Sequence, residues 1–181
     1  MSTSFLSKLA NLGIVVLIAG CATAAVGQLE SKLEPVTLEK FKKMFIAVNV
    51  ESFTFNSKVS NSMQKQLAKS LSGCGVDTYF YSKNDLDSDP EAIFKKAYAD
   101  FNPDSFLTIA KTEDRLIVQQ RSAQGLFTFV ARLSQGKPST QVWAAKGAVG
   151  LVIDGNAQLS GEIIADAFFK KMVADGLVCK N

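Results

Sequence analysis

The stretch Met44–Val50 (MFIAVNV) constrains the fold more than any other part of the sequence. Asn49 is its only polar residue, and it is rich in Val, Ile and Phe. A short run of this composition is typical of a β-strand that is covered on both faces, which is the usual state of a central strand. The sequence therefore predicts a sheet built around Met44–Val50.

Helices are predicted on either side of a second strand. Apolar residues recur at every fourth position over residues 57–72, which indicates an amphipathic helix. Asp77–Ser82 has the aromatic content of a strand. A second helix begins at Asp89-Pro90-Glu91, because an acidic N-cap followed by proline is a helix start signal. A third apolar stripe predicts a helix over Ser160–Asp175.

Strands follow one another between the second and third helices. Ser105–Lys111 and Arg115–Gln120 are two strands or one long bent strand, and Leu126–Leu133 and Gln141–Leu151 follow across turns. The predicted order is β-α-β-α-β-β-β-α. This order favours an α+β, two-layer fold: a mixed, largely antiparallel sheet with about three helices packed on it.

The N-terminal motif Leu17-Ile18-Ala19-Gly20-Cys21 resembles the lipobox of bacterial lipoprotein precursors. Lys8 precedes an apolar core over residues 9–19, which is too short to cross about 30 Å of hydrocarbon as a helix. A charged start, a brief apolar stretch and small residues before the cut are typical of a cleaved signal. The resemblance implies cleavage before Cys21 and acylation of Cys21. The alternatives are an ordinary secretory signal with an accidental cysteine, or a buried helix.

The resemblance divides the chain into a signal peptide (1–20), a lipid-anchored tether and lead-in (21–43) and one periplasmic domain (44–181). The lipid on Cys21 is the membrane contact and the only cofactor expected. Ala22 follows the cysteine, where aspartate typically signals inner-membrane retention in lipoproteins. The lipoprotein families therefore imply the periplasmic side of the outer membrane.

Composition excludes several classes of function. Hydrophobic residues make up 47% and charged residues 20%, which is typical of a folded domain. Loss of Lys8 with the signal lowers the net charge from +3 to +2, too little to indicate nucleic-acid binding. The chain has no histidine, so Ser-His-Asp, Cys-His and histidine-containing zinc sites are excluded. We predict no enzyme and no metal site.

Two cysteines remain once Cys21 carries lipid. Cys74 and Cys179 each follow the end of a predicted helix, and the periplasm permits disulfides. A Cys74–Cys179 bridge is the leading hypothesis, and it would pin the two helix ends together if the helices lie side by side. The alternative is two separate buried thiols.

Ser62 and Lys65 show the S-x-x-K spacing of serine enzymes that act on penicillin and peptidoglycan. That spacing places both residues on one helix face, where lysine would accept the hydroxyl proton. The partner motifs S-D-N and K-T-G are absent from the sequence. A serine enzyme is therefore a remote alternative, and a solvated helix face is the simpler interpretation.

Asp85, Asp87 and Asp89 resemble the opening of a calcium-binding loop. Pro90 stands where that loop needs glycine, and Lys96 where it needs a bidentate glutamate. The simpler interpretation is an acidic turn that caps a helix.

Basic residues in the strand-rich half are candidates for binding an anionic partner, such as a lipid headgroup or a glycan carboxylate. The alternative is a solvated sheet face or edge, where lysine and arginine discourage aggregation. The residues are Lys111, Arg115, Arg121, Arg132, Lys137 and Lys146.

The segments MFIAVNVESF and ARLSQGKPSTQVWAA resemble those of small envelope domains. Domains of this kind include the Tol N-terminal domain, the lipoprotein activators of penicillin-binding proteins and the curli-secretion lipoprotein, which this chain resembles. The resemblance implies a late hairpin carrying one tryptophan, here Trp143. We expect a non-enzymatic scaffold or regulator that binds another envelope protein, within a secretion or transport complex or the peptidoglycan-synthesis machinery. The alternative is a binding module for an anionic glycan or lipid.

Overall fold

The computed structural model describes residues 24–27, 29–36, 39–50, 56–82, 88–119, 122–136, 139–152 and 156–179. The strands are β1 (Ala24–Val26), β2 (Glu30–Leu33), β3 (Lys43–Asn49), β4 (Asp77–Ser82), β5 (Ser105–Gln119), β6 (Ser122–Gln135) and β7 (Thr140–Val152). The helices are α1 (Ser57–Gly73), α2 (Pro90–Phe101) and α3 (Ala157–Ala174).

The strands form one mixed sheet in the order β1-β7-β6-β5-β3-β4. β3 runs parallel to its neighbours β4 and β5, whereas β5, β6 and β7 pair antiparallel. β2 also pairs with β7, next to β1, so these two strands share one edge and the sheet is six strands wide. The predicted α+β class and the mixed, largely antiparallel sheet are confirmed.

β3 is the central strand that the sequence predicts. Met44 and Ile46 are buried in the main hydrophobic core. Phe45 is also buried but points to the opposite face, because successive side chains of a strand alternate. There its ring lies 5.4 Å from that of Phe94 and 5.2 Å from that of Tyr98, both on α2.

Helices therefore lie on both faces of the sheet. α1 and α3 cover the Met44 face, where Phe129 of β6 meets Phe168 of α3 at 4.8 Å between ring centroids. α2 covers the Phe45 face near β3 and β4, where Phe94 also contacts Tyr81. The predicted two-layer arrangement holds over β6 and β7, and α2 adds a third layer over β3 and β4.

The first two strands lie within residues 21–43, the range predicted as tether and lead-in. Both are paired with β7. Their sequence shows no apolar alternation. They pair instead with the backbone N–H and C=O groups along the outer edge of β7, which would otherwise lack strand partners. This is a long-range contact that local patterns do not encode.

Helix ends follow their sequence signals with one shift. Asp89 caps α2, since its Oδ1 accepts from the N–H of Ala92 at 2.9 Å. α3 begins at Ala157 rather than Ser160, because the Asn156 side chain caps it by accepting from the N–H of Leu159 at 3.0 Å. β5 is one long strand with a bulge between Lys111 and Glu113.

α1 and α3 pack side by side, and the predicted disulfide joins their C-terminal ends. Cys74 and Cys179 are bonded, with their Cα atoms 4.8 Å apart. Gly161 lets the helices approach closely: a Cβ added there would lie 2.5 Å from the carbonyl oxygen of Val59. Among the described residues, no helix is long and apolar enough to cross a membrane.

Candidate functional site

One face of the sheet, over β2, β7, β6 and the middle of β5, has no helix on it within the described part of the chain. We call it the open face. It is the side opposite α1 and α3, and α2 lies away from it over β3 and β4. Strand alternation and the observed register place these residues on it: Glu30, Lys32, Thr108, Ala110, Thr128, Val130, Arg132, Ala144, Lys146 and Ala148.

The open face carries two adjoining shallow depressions of about 340 Å³ each. Both are lined by Glu30, Val130 and Lys146. The first also includes Arg132 and Ala144. Small and half-buried side chains thus form the floor, and charged side chains stand at the margin.

The charges on the open face are mostly balanced. Lys146 Nζ lies 2.9 Å from Glu30 Oε2, and this pair joins β7 to β2. Lys32 Nζ lies 3.0 Å from Glu34 Oε1. Exposed pairs of this kind contribute little to stability, typically under about 1 kcal/mol. Their use is to make the surface polar at its margin without giving it a strong net charge.

The six basic candidates do not all come together. Arg121 and Lys137 lie outside the described residues. Lys111 pairs with Asp114 at 3.5 Å, and Arg115 pairs with Glu113. Arg132 and Lys146 share the first depression of the open face. The structure therefore places acidic partners beside three of the four described residues.

A second group of lysines follows one stripe of α1. Lys58, Lys65 and Lys69 line a groove of about 740 Å³ between α1 and the start of α3, with Glu162 on its far side. Residues at this spacing lie on one face of a helix. The lysines recur with the same helical periodicity as the apolar stripe of α1, and this periodicity is the sequence signal that indicates the groove.

Ser62 lies in that groove, but its hydroxyl is engaged in helix packing. Ser62 Oγ donates a hydrogen bond to the backbone carbonyl of Gln158 on α3 at 2.8 Å. A serine nucleophile needs its hydroxyl proton directed toward a base. The geometry of Ser62 thus favours a structural role over the S-x-x-K chemistry.

Only part of the predicted acidic turn lies within the described residues. Asp85 and Asp87 lie outside the described part of the chain, and Asp89 is the N-cap of α2. Within the described ranges there is no group of three or more Cys, Asp and Glu residues placed to hold a metal ion.

Asp175 joins the end of α3 to the sheet, a role that no local sequence pattern indicates. Its Oδ2 accepts from Trp143 Nε1 at 2.7 Å, and its Oδ1 accepts from Lys171 Nζ at 2.9 Å. Partial burial opposes the charged form, but hydrogen bonds from Ser31, Trp143 and Lys171 outweigh it. The pKa of Asp175 therefore lies below its ordinary value. This carboxylate stabilises the packing behind the open face.

The far end of β5 extends past β3, its parallel neighbour, while β6 and β7 continue beside it. The last residue of β5 that pairs with β3 is Ala110, opposite Asn49, and β5 continues with β6 as a hairpin. Leu116, Ile117 and Val118 near its tip are 52%, 41% and 71% exposed. Cys21, the predicted lipid site, lies outside the described residues, close in sequence to the start of β1.

No protein-family model matches the sequence, and no curated protein sequence does. Among solved structures, the PelC dodecamer of Paraburkholderia phytofirmans is 16% identical, with 79% of this chain and 97% of PelC covered and a TM-score of 0.51. The lipoprotein GNA1162 of Neisseria meningitidis is 17% identical, with 74% and 99% covered and a TM-score of 0.45. The likeness to PelC shows a shared fold.

Proposed function

We propose that this chain is a non-enzymatic, lipid-anchored assembly module on the periplasmic side of the bacterial outer membrane, and that its open face binds a protein partner. The observation that carries the proposal is the open face itself. It is a sheet surface with small side chains in the middle and ion-paired side chains at the margin. An apolar centre with a polar rim is the usual anatomy of a protein interface.

The shape of the open face favours a protein over a small molecule. Small-molecule sites are concave and bury most of the ligand. The depressions here are shallow and rest on the sheet alone, without a second wall among the described residues. A flat surface with balanced charge suits another folded protein of the envelope.

The lipid at Cys21 supports a modest interface. Anchoring confines the domain near the membrane and so raises the effective concentration of the domain around its partner. A weak interface with the partner is then enough for binding. PelC shares the fold and was solved as a dodecamer, which supports testing further copies of this chain as the first partner.

Photocrosslinking in intact cells tests the open face. A photoreactive amino acid at Ala144, in the full-length chain, is expected to capture a protein of defined mass. The matched control is the same amino acid at Lys170, an exposed position on α3. Capture from Lys170 with none from Ala144 would contradict the proposal. Mass spectrometry of the mature N-terminal peptide tests the lipid on Cys21 separately.

A second candidate is binding of an anionic glycan in the α1–α3 groove, and the lysine stripe favours it. Lys58, Lys65 and Lys69 form no ion pair among the described residues, although Glu162 lines the same groove. The unmutated protein is expected to bind a polyuronate, and this binding should weaken as the salt concentration rises. The double variant Lys65→Ala/Lys69→Ala is expected to lose the binding. Binding that persists at high salt, or in the variant, would exclude the groove.

A further inference from the structure

The sheet has two edges, and the sequence protects only one of them. At one edge β1 and β2 are short, and β2 carries Glu30 and Lys32. Short strands and charged side chains are the usual protection of an edge against pairing with another chain. At the other edge, β4 (DTYFYS) has no lysine, arginine or proline. Within the described part of the chain β4 pairs only with β3, so its outer side is placed to accept a further strand.

The backbone of β4 shows which residues present their polar groups at this outer side. The N–H of Asp77 donates to the carbonyl of Lys42 at 2.8 Å, so Asp77 turns its backbone toward the β3 side. Alternate residues of a paired strand turn their backbone groups to opposite sides. Thr78, Phe80 and Ser82 therefore turn theirs outward. In agreement, the N–H of Thr78 donates to Asp77 Oδ1, a side-chain oxygen of its own strand, at 3.1 Å.

The outward residues allow one antiparallel register in which all three pair between two copies of β4. Phe80 of one copy then lies opposite Phe80 of the other, and Thr78 lies opposite Ser82. Between these pairs, Tyr79 lies opposite Tyr81. Aromatic pairs and hydroxyl pairs of this kind are favourable across two strands. The strand thus complements itself, as a two-fold interface requires.

Charge on β4 favours the same arrangement. Asp77 is the only charged residue of the strand. In the antiparallel pair the two Asp77 side chains lie at opposite ends of the interface, separated by roughly 20 Å along the strands at about 3.4 Å per residue. A parallel pair in register would bring the two carboxylates side by side.

The aromatic layer beside β4 is incomplete at this edge. Tyr79 stacks on Phe45 with the ring centroids 5.1 Å apart, yet Tyr79 is 40% exposed. α2 covers this layer without fully burying any of its own residues. In the register above, Tyr81 of a second copy packs against Tyr79 and excludes water from its ring.

We propose that two copies of this chain pair through β4, antiparallel and centred on Phe80, so that their two sheets become one. The interface lies at the edge opposite β1 and β2, away from the open face. It does not depend on the proposed lipidation or on the partner of the open face.

The pairing is compatible with two lipid anchors in one bilayer. Neighbouring strands of a sheet twist by about 20–25°, so the five steps from β4 to β1 turn the strand direction by roughly 100–125°. β1 then points more along the two-fold axis than across it. Because a two-fold rotation preserves direction along its axis, both chain starts leave the dimer on the same side.

Disulfide trapping in the full-length chain tests the register. Tyr79→Cys and Tyr81→Cys are co-expressed as differently tagged chains, and the cells are treated with an oxidant. The two cysteines would form a non-hydrogen-bonded pair with Cα atoms about 4.5 Å apart, which is within disulfide range. Thr140→Cys, at an exposed position of β7, replaces Tyr79→Cys in the matched control. The unmutated chain reports any dimer that forms through Cys21.

Proline substitution tests the same interface without added cysteines. Thr78→Pro removes an outward N–H and should block the pairing, while the β3–β4 ladder keeps its hydrogen bonds. Thr78→Ala keeps the N–H and is the matched control. Light scattering on the purified full chain in detergent is expected to give Thr78→Pro half the mass of Thr78→Ala. The urea midpoints of the two variants should be similar.

A disulfide dimer that carries both tags, formed from Tyr79→Cys with Tyr81→Cys and not from Thr140→Cys, is the expected result. Absence of this dimer, or equal trapping from Thr140→Cys, would overturn the proposal. A disulfide from either β4 position to a different protein would assign the edge to that protein instead. If Thr78→Pro unfolds at a much lower urea concentration, the trapped disulfide decides alone.

Discussion

The two faces of β6 and β7 differ in what their residues do. On the helix side, Phe127, Phe129 and Trp143 are buried against α3 and the main core. On the open side of the same strands, Val130 and Ala144 are half-buried and no described helix covers them. One strand thus carries two sets of residues. The first set specifies the fold, and the second is available for a partner.

The comparison has direct consequences for mutation. Substitutions on the helix side of the sheet should lower the free energy of unfolding, and they should affect binding only because the domain is less folded. Changes on the open face should leave that free energy nearly unchanged and affect binding directly. The predictions below test this contrast from the largest expected effect on stability to the smallest.

Loss of the disulfide should have the largest effect. The bond between Cys74 and Cys179 closes a loop with a sequence separation of 105 residues. The chain-entropy treatment gives about 4–5 kcal/mol for such a loop, so Cys74→Ser/Cys179→Ser should lower the free energy of unfolding by roughly that amount. Urea denaturation measures it. Reductant should reproduce the loss in the unmutated protein, and an unchanged urea midpoint in the double variant would refute the role of the bridge.

The contact between α1 and α3 should come next. A Cβ at Gly161 would lie 2.5 Å from the Val59 carbonyl oxygen and 2.7 Å from the Met63 backbone nitrogen. Backbone atoms do not move aside easily, so we expect Gly161→Ala to cost about 1–3 kcal/mol. Gly73→Ala is the matched control, because nothing lies within 4 Å of a Cβ added there. Equal effects of the two substitutions in thermal unfolding would mean that the helices are not in close contact.

Asp175 provides a pH-dependent test on the helix side. Its pKa is lowered in the folded state, so its charged form contributes stability above the unfolded pKa, and this is lost as the pH falls through the folded pKa. Asp175→Asn should cost about 1–2 kcal/mol at pH 7. The difference should shrink below about pH 4.

Unfolding in urea at pH 7 and pH 3 measures this difference. Asp100→Asn is the control, since Asp100 pairs with Lys96 on the exposed surface of α2 and should change stability little at either pH. A cost of Asp175→Asn that stays constant between the two pH values would show that the charge of Asp175 is not what joins α3 to Trp143.

Local pattern was enough to predict the central elements. Met44–Val50 is predicted as a doubly covered strand because apolar side chains fall on both of its faces, and the structure buries Met44, Ile46 and Val48 on one face and Phe45 on the other. The Asp89 cap and the Cys74–Cys179 bond could also be predicted from the sequence, because each depends on residues beside a helix end.

The rest depends on contacts between distant segments. β1 and β2 join the sheet through backbone pairing with β7. The pattern of their side chains does not predict this pairing. The basic residues could be found in the sequence, but their acidic partners could not, since Lys146 meets Glu30 only through the register of β2 and β7. The alignment of Leu116 on β5 with Ala24 on β1, in one row across four strands, has the same origin.

Lys146→Glu should have the smallest effect on stability and the largest on binding. The Lys146–Glu30 pair is exposed, so its loss, with two carboxylates brought together, should cost under about 1 kcal/mol. The same change reverses one charge at the margin of the open face, and crosslinking from Ala144 should fall strongly. Lys170→Glu makes the same charge reversal on the exposed surface of α3 and should leave crosslinking intact. If Lys146→Glu unfolds the domain at a much lower urea concentration, the open face is part of the structural core, and the contrast between the two faces fails.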